Sequence, residues 1–190
     1  GQAVNGGLAF GAARSSTERW ADNWLGLDNS ATMDENRRQS ASRCFFRINS
    51  AGAPAHEYDF VSMDTDGFTV NRITAPPTST RVIYIALKGT YQAKLGSFQQ
   101  PTATGNQSVT GTGFQPLAEL FTGIASNSLD LATGSSKLEV AAAMSSTSRR
   151  VLVGAATDAV ADSVADTRHL ATACLSSLTA GTPTIDAEAD

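Results

Sequence analysis

Short stretches rich in β-branched and aromatic residues recur along the chain, separated by Gly, Pro, Asn and Asp. This pattern predicts β-strands bounded by turns. The clearest stretch, residues 81–87, is almost continuously apolar and predicts a central strand buried on both faces or a strand packed in a sandwich. The pair Asp66 and Gly67 separates two other stretches, 60–63 and 67–71, and predicts a hairpin. Further strands are predicted at residues 43–48, 93–98, 107–111, 117–121, 138–144, 150–155 and 169–175.

Two longer segments interrupt this pattern. Residues 158–171 are rich in Ala, Asp and Val, and residues 28–41 are more polar. We expect both to be long loops with at most one helical turn. Many short strands without recurrent amphipathic helices favour an all-β fold over a parallel α/β fold. The predicted architecture is an antiparallel, jelly-roll-like β-sandwich.

An internal repeat emerges when the chain is shifted by about 130 residues. The matches include the pairs Leu8 and Leu138, Arg19 and Arg149, Asp28 and Asp158, Arg38 and Arg168, and Cys44 and Cys174. We therefore expect a tandem repeat. Residues 1–98 would form a first copy lacking its N-terminal part, and residues 99–190 a second copy lacking its C-terminal strands. Either the natural polypeptide is longer or a neighbouring chain supplies the missing strands, and open sheet edges favour self-association.

The charge and hydropathy of the chain argue against two classes of partner, nucleic acids and membranes. Charged residues make up 17% of the sequence and the net charge is −4, without a concentrated basic patch. A protein that binds nucleic acid through its phosphates needs such a patch, so we expect no nucleic-acid partner. No stretch reaches the roughly 20 apolar residues that cross a bilayer, so we expect no membrane span. Cys44 and Cys174 are expected to be small buried residues in different copies, without a bond between them.

Catalytic and metal-binding patterns are weak in this sequence. His56 and His169 have no Cys or His at zinc-ligand spacing. The segment 64–67 begins like a calcium loop, but Ala75 occupies the position that needs a Glu. We expect no metal and no cofactor.

Two acidic residues remain candidates for chemistry. Glu57 and Asp59 would share one face of a strand, and the pair recurs at Glu188 and Asp190. Recurrence favours a structural pair that binds Arg across strands, so we expect a non-enzymatic protein. A glycan hydrolase that uses Glu57 and Asp59 is the weaker alternative.

Trp20 and Trp24 are the only tryptophans, and they lie four residues apart. On a strand they would share a face, where indole rings can stack on a sugar. Both are absent from the second copy, which has Arg150 and Gly154 at these positions. They are the candidate contact residues for a glycan or a protein partner, although a role in packing is the simpler interpretation.

Several segments resemble a repeated module of tailed-phage and prophage virion structural proteins. These segments are Ser-Phe-Gln-Gln-Pro at 97–101, Gly-Phe-Gln-Pro at 113–116, Glu-Tyr-Asp at 57–59, Asp-Gly-Phe-Thr at 66–69 and Tyr-Ile-Ala-Leu at 84–87. Arg72 departs from the aromatic residue that the module often carries at that position. The resemblance implies a β-sandwich on the virion surface, as a head decoration or a tail appendage or fibre subunit, that binds other subunits and its own copies. The alternative is an adhesin that binds a host surface glycan through Trp20 and Trp24.

Overall fold

The computed structural model describes residues 5–27, 34–76, 79–103, 105–157, 165–178 and 185–189. Within these ranges the regular secondary structure is entirely β, which confirms the predicted class. The strands are β1 (Asn5–Ala13), β2 (Arg19–Leu27), β3 (Asp34–Ser40), β4 (Phe45–Ile48), β5 (Pro54–Asp64), β6 (Gly67–Thr74), β7 (Glu119–Gly123), β8 (Thr133–Gly134), β9 (Ser136–Ser145), β10 (Ser148–Ala156), β11 (Ala165–Leu170), β12 (Leu175–Leu178) and β13 (Ile185–Ala189).

The strands form four sheets whose neighbours pair antiparallel. Their orders are β1-β2-β3-β8, β4-β5-β6, β11-β10-β9-β7 and β12-β13. Ala21 and Leu25 of β2 pack against Phe46 and Ile48 of β4, so the first two sheets enclose one core. A second core gathers apolar residues of β9 and β10 with Ala173, just before β12. Sheets that face each other across an apolar layer are consistent with β-sandwich packing.

The pairing of the first strands recurs 130 residues later. Phe10 lies opposite Asp22, and Val140 lies opposite Leu152. The neighbouring pair of strands gives the same result, since Asn23 faces Arg38 and Val153 faces Arg168.

Irregular features recur at the same spacing. The register shifts between Arg47 and Ile48 in one half and between Ser177 and Leu178 in the other. Ser15 Oγ accepts hydrogen bonds from the backbone amides of the β1–β2 turn, and Ser145 Oγ does the same in the β9–β10 turn. Register, bulge and turn chemistry therefore agree between the two halves.

The predicted hairpin at Asp66 and Gly67 is confirmed. β5 and β6 pair antiparallel, with Asp64 opposite Gly67 at the turn. The carboxylate of Asp64 accepts hydrogen bonds of 2.7 Å from the hydroxyls of Thr69 and Ser62, and these bonds lower its pKa. The residues that resemble a calcium loop thus use their first carboxylate to close a turn. Strands predicted at 43–48, 138–144 and 150–155 are also present, as β4, β9 and β10.

Three strand predictions are wrong. Residues 81–87, 93–98 and 107–111 belong to no strand, and their side chains are largely exposed. Within the described residues these segments have no backbone partner, and a strand needs a neighbouring edge as well as favourable side chains. The predicted strand 117–121 is displaced by two residues, to β7.

The interpretation of residues 28–41 and 158–171 as loops is also wrong where it can be compared. Residues 34–40 form β3 and residues 165–170 form β11, while 28–33 and 158–164 lie outside the described residues. β3 is polar throughout, but it pairs with β2 along its whole length and with β8 at Asn36 and Arg37. The predicted strand at residues 169–175 is also wrong as a single element. β11 ends at Leu170 and β12 begins at Leu175, with an irregular segment between them.

Cys44 and Cys174 lie at matching positions, one residue before β4 and β12, and neither is part of a disulfide. Cys44 Sγ lies 3.3 Å from the carbonyl oxygen of Tyr58, and burial raises the pKa of the thiol. Both cysteine side chains are half-buried, so they are less buried than the sequence analysis predicts.

Candidate interaction site

Trp20 and Trp24 lie on one face of β2, with Asp22 between them. The alternate residues Ala21, Asn23 and Leu25 are buried, and Ala21 and Leu25 contact the β4 side. Because side chains alternate along a strand, both tryptophans point away from that core. Both are half-buried. The expected shared face is therefore present, on the side of the first sheet opposite the β4 core.

Trp24 already uses its polar atom. Its indole N–H donates a 2.6 Å hydrogen bond to the Glu35 carboxylate on β3, and Glu35 is buried. Gly26 lies opposite Glu35, and a Cβ at this position would overlap that carboxylate. Trp24, Glu35 and Gly26 thus form one arrangement in which glycine makes room for a buried acid.

Asp22 connects the tryptophan face to the third sheet. Its carboxylate accepts a 2.6 Å hydrogen bond from the Thr122 hydroxyl on β7. Burial raises the pKa of Asp22, and the bond from Thr122 partly opposes this effect. Trp20 and Trp24 therefore flank a contact between the two halves of the chain.

Glu139 on β9 is a buried acid whose pKa is strongly raised. Its side chain is 4% exposed, and its Oε1 atom has no hydrogen-bond partner in the described structure. Burial raises its pKa to about 7, with Lys137 opposing the rise and Asp22 adding to it. The β7–β9 region therefore contains a carboxyl group that titrates near neutral pH.

Glu57 and Asp59 are held by cations, as the structural interpretation predicts. Glu57 accepts hydrogen bonds from Arg43 Nε at 3.1 Å and from the Thr74 hydroxyl at 2.6 Å. Asp59 Oδ1 lies 2.6 Å from Arg19 Nε, close enough for an ion pair although the N–H is not aimed at the oxygen. Each of these carboxylates therefore lies against an arginine, in the cross-strand arrangement that the sequence analysis favours over a catalytic pair.

The histidines are not gathered with other ligands. His56 lies opposite Arg47, and burial, followed by the charge of Arg47, lowers its pKa. His169 lies on β11, opposite Leu152. Among the described residues, no group of three or more His, Cys, Asp or Glu side chains is arranged to hold a metal ion. The same part of the chain contains no helix that could cross a membrane.

Residues 79–103 and 105–118, which we refer to as the arm, carry many exposed large apolar side chains. They include no strand, and most of their side chains are exposed. Ile83 and Ile85 are 90% and 87% exposed. Side chains hold the arm at a few points, such as Tyr84 edge-on to Phe68 and Phe98 edge-on to Phe121.

Sequence reasoning missed the arm, Glu35 and Glu139. Residues 81–87 of the arm have the composition of a buried strand, so their exposure carries no sequence signal. Glu139 does carry one, because an acid between Leu138 and Val140 in an apolar strand is unusual. Glu35 and Trp24 are eleven residues apart, and only the pairing of β2 with β3 brings them together.

No protein-family model, curated protein or solved structure matches this chain.

Proposed function

We propose that this chain is a non-enzymatic structural protein of a tailed-phage virion, a head decoration or a tail appendage subunit that acts through contacts between subunits. The segments 57–59, 66–69, 84–87 and 113–116 support the phage assignment through their resemblance to the virion module. The single observation that carries the mode of action is the exposed arm. Its exposed apolar side chains, such as Ile83 and Ile85, suit association with protein.

The proposal includes a tandem arrangement of two partial jelly-roll-like sandwiches. The strands β1 to β5 and β9 to β13 would be equivalent parts of successive copies. Support comes from the shared register, the shared bulge and the shared serine turns at the same spacing. Repetition suits virion proteins because each added copy packs against its neighbour in the same way and extends the surface.

The surface area of the chain supports self-association. The chain exposes 12133 Å². A folded monomer of 19.7 kDa is expected to expose about 8,600 Å². The excess is several times the roughly 800 Å² that each partner buries in a standard interface. An obligate oligomer in which the arm is covered would remove this excess.

The backbone of the arm supports the same proposal. Among the described residues, the backbone–backbone hydrogen bonds outside strands do not include residues 79–118. Extended backbone with β-branched side chains forms strands when an edge is available. Residues 81–87 would therefore pair with a sheet edge of a second copy, which would bury Ile83 and Ile85.

The self-association test compares two double variants by light scattering after size-exclusion chromatography. The wild-type chain is expected to form oligomers at micromolar concentration, and Ile83→Asp with Ile85→Asp is expected to shift it to monomer. Met144→Asp with Leu152→Asp is the control, because these side chains are also exposed but lie on β9 and β10. A monomeric wild type, or equal loss of mass in both variants, would remove the arm as the association element.

The virion assignment is tested by immunogold labelling of purified phage particles with an antibody against the chain. Gold over the head supports decoration, and gold on the tail supports an appendage. If neither intact nor disrupted particles are labelled, the virion proposal is wrong, whatever the oligomeric state of the protein.

The glycan-binding alternative depends on Trp20 and Trp24. It predicts that Trp20→Ala abolishes binding on a glycan array and leaves the thermal unfolding midpoint nearly unchanged. Trp24 is the poorer probe because its indole N–H holds Glu35, so Trp24→Ala also disturbs the fold. Unchanged binding in Trp20→Ala would end this alternative.

A further inference from the structure

The third sheet has a strand that the first sheet lacks. β7 pairs with the outer edge of β9, with Phe121 opposite Ala141 and Gly123 opposite Glu139. Phe121 packs against the apolar cluster of β9 and β10, and Ile124, the next residue after β7, is fully buried. β7 therefore both completes the ladder of β9 and closes one side of the core.

β1 is the counterpart of β9 in the first sheet. By the shared register with β2 and β10, the edge positions 139–143 of β9 correspond to 9–13 of β1. Among the described residues no strand pairs with this outer edge of β1. The edge that β7 covers in one sheet is therefore open in the other.

The open edge lacks the usual protection of an edge strand. Exposed edges usually carry charged residues, proline or bulges that discourage pairing. β1 reads Asn-Gly-Gly-Leu-Ala-Phe-Gly-Ala-Ala and pairs with β2 without a register shift. Three other outer strands carry charge, as Arg72 in β6, Glu119 in β7 and Arg168 in β11 show.

We propose that residues 9–13 of β1 are a docking site for a strand of the β7 type, with the sequence Glu-Leu-Phe-Thr-Gly, donated by another copy of this unit. The proposal rests on the equivalence of the two halves in the proposed function. The donated strand pairs antiparallel with β1 in the register of β7 with β9. Successive copies are then joined by backbone hydrogen bonds as well as by side chains.

Gly11 fits the donated phenylalanine. In the β7 register Phe121 faces Ala141, and the corresponding residue of β1 is Gly11. A Cβ at Gly11 would overlap the carbonyl oxygen of Cys44, so this position must stay glycine. A glycine in a strand leaves its neighbours uncovered, and an aromatic ring from the adjacent strand covers it.

The test restores the missing strand in the same chain. A copy of residues 116–130 placed directly ahead of Gly1 reproduces the distance at which β7 precedes β9. Amide hydrogen exchange at residues 9–13 is expected to slow at least tenfold, and the unfolding midpoint is expected to rise by several degrees. The control is the same prefix carrying Phe121→Asp and Thr122→Pro in the copied segment, which removes the apolar anchor and one backbone donor.

Equal exchange at residues 9–13 in both prefixed proteins would overturn the docking proposal. Slow exchange with the native prefix alone supports it, even if immunogold labelling shows that the protein is absent from virions. Labelled virions with unchanged exchange would retain the virion role and remove the docking site. The two proposals can therefore fail separately.

Discussion

The sheet that begins with β1 and the sheet built around β9 use the same pairing for different chemistry. In the first, Asn23 is buried at the position that Val153 occupies in the second. Asn23 Nδ2 donates to the carbonyl oxygen of Leu8, and Asn23 Oδ1 accepts from the Ile48 amide. Val153 instead packs in an apolar cluster. At this position, the same pairing of strands is therefore stabilised by a hydrogen-bonding Asn in the first sheet and by apolar packing in the other.

A second difference involves three positions together. Trp24, Gly26 and Glu35 of the first sheet correspond to Gly154, Ala156 and Ala165. The indole, the carboxylate that it binds and the glycine that makes room for this carboxylate are therefore all absent from the corresponding positions of the other sheet. Changes that occur as a group indicate that the three residues function as one packing arrangement.

The largest expected effect comes from breaking the polar bridge. Asn23→Val leaves the carbonyl of Leu8 and the amide of Ile48 without their partner, and each buried backbone group costs about 1–3 kcal/mol. We expect a loss of about 3 kcal/mol in the free energy of unfolding, measured by urea titration. Asn71→Val is the control, because Asn71 is exposed on β6.

The reciprocal change sharpens the comparison. In Val153→Asn the new amide faces the backbone of Leu138 and Leu178, the counterparts of Leu8 and Ile48. If the two halves share one backbone arrangement, the new side chain forms hydrogen bonds with these backbone groups. The free energy of unfolding then falls by only about 1 kcal/mol. A loss as large as that of Asn23→Val would contradict the equivalence of the two backbones.

The buried acid of β9 should give a smaller, pH-dependent effect. Glu139 has a folded-state pKa of about 7, above its ordinary value of 4.5, so folding favours the protonated form. This contribution is full below the unfolded pKa and is lost as the pH rises toward the folded pKa. We expect the free energy of unfolding to fall by about 2 kcal/mol between pH 5 and 8.

Glu139→Gln should flatten that slope and raise stability at pH 8. Glu119→Gln on β7 controls for the loss of one negative charge. A slope that survives in Glu139→Gln would assign the pH dependence to another group, with Asp22 as the next candidate because burial also raises its pKa.

The smallest expected effect is a coupling between Gly26 and Glu35. Gly26→Ala alone should destabilise the fold, because the new methyl group meets the Glu35 carboxylate. In the Glu35→Ala background the same change should cost about 1 kcal/mol less. A double-mutant cycle by urea titration measures this difference, and a coupling of zero would mean that the three replacements are independent.

Prediction from the sequence succeeded where local signals were sufficient. The Asp-Gly turn between the stretches 60–63 and 67–71, and the stretches 138–144 and 150–155, identify strands that the structure contains. It failed for residues 81–87, whose side chains suit a buried strand, because propensity does not create a neighbouring edge. It also failed for β3, whose polar sequence resembles a loop although it pairs with β2 and β8.

The candidate site likewise has one feature that the sequence predicts and others that only the structure shows. Trp20 and Trp24 share a face because residues of equal parity on a strand always do, and the sequence is enough to show it. That Trp24 holds Glu35, and that Asp22 bonds to Thr122, depends on contacts between strands far apart in the chain.

By itself the sequence determined the β class, the hairpin at residues 64–67 and the spacing of about 130 residues between similar segments. Each of these depends on local patterns of side chains and turns. Only the tertiary structure decided which edges are paired, which acids are buried and that the arm is exposed. These outcomes depend on long-range backbone pairing and desolvation, which involve residues distant in the chain.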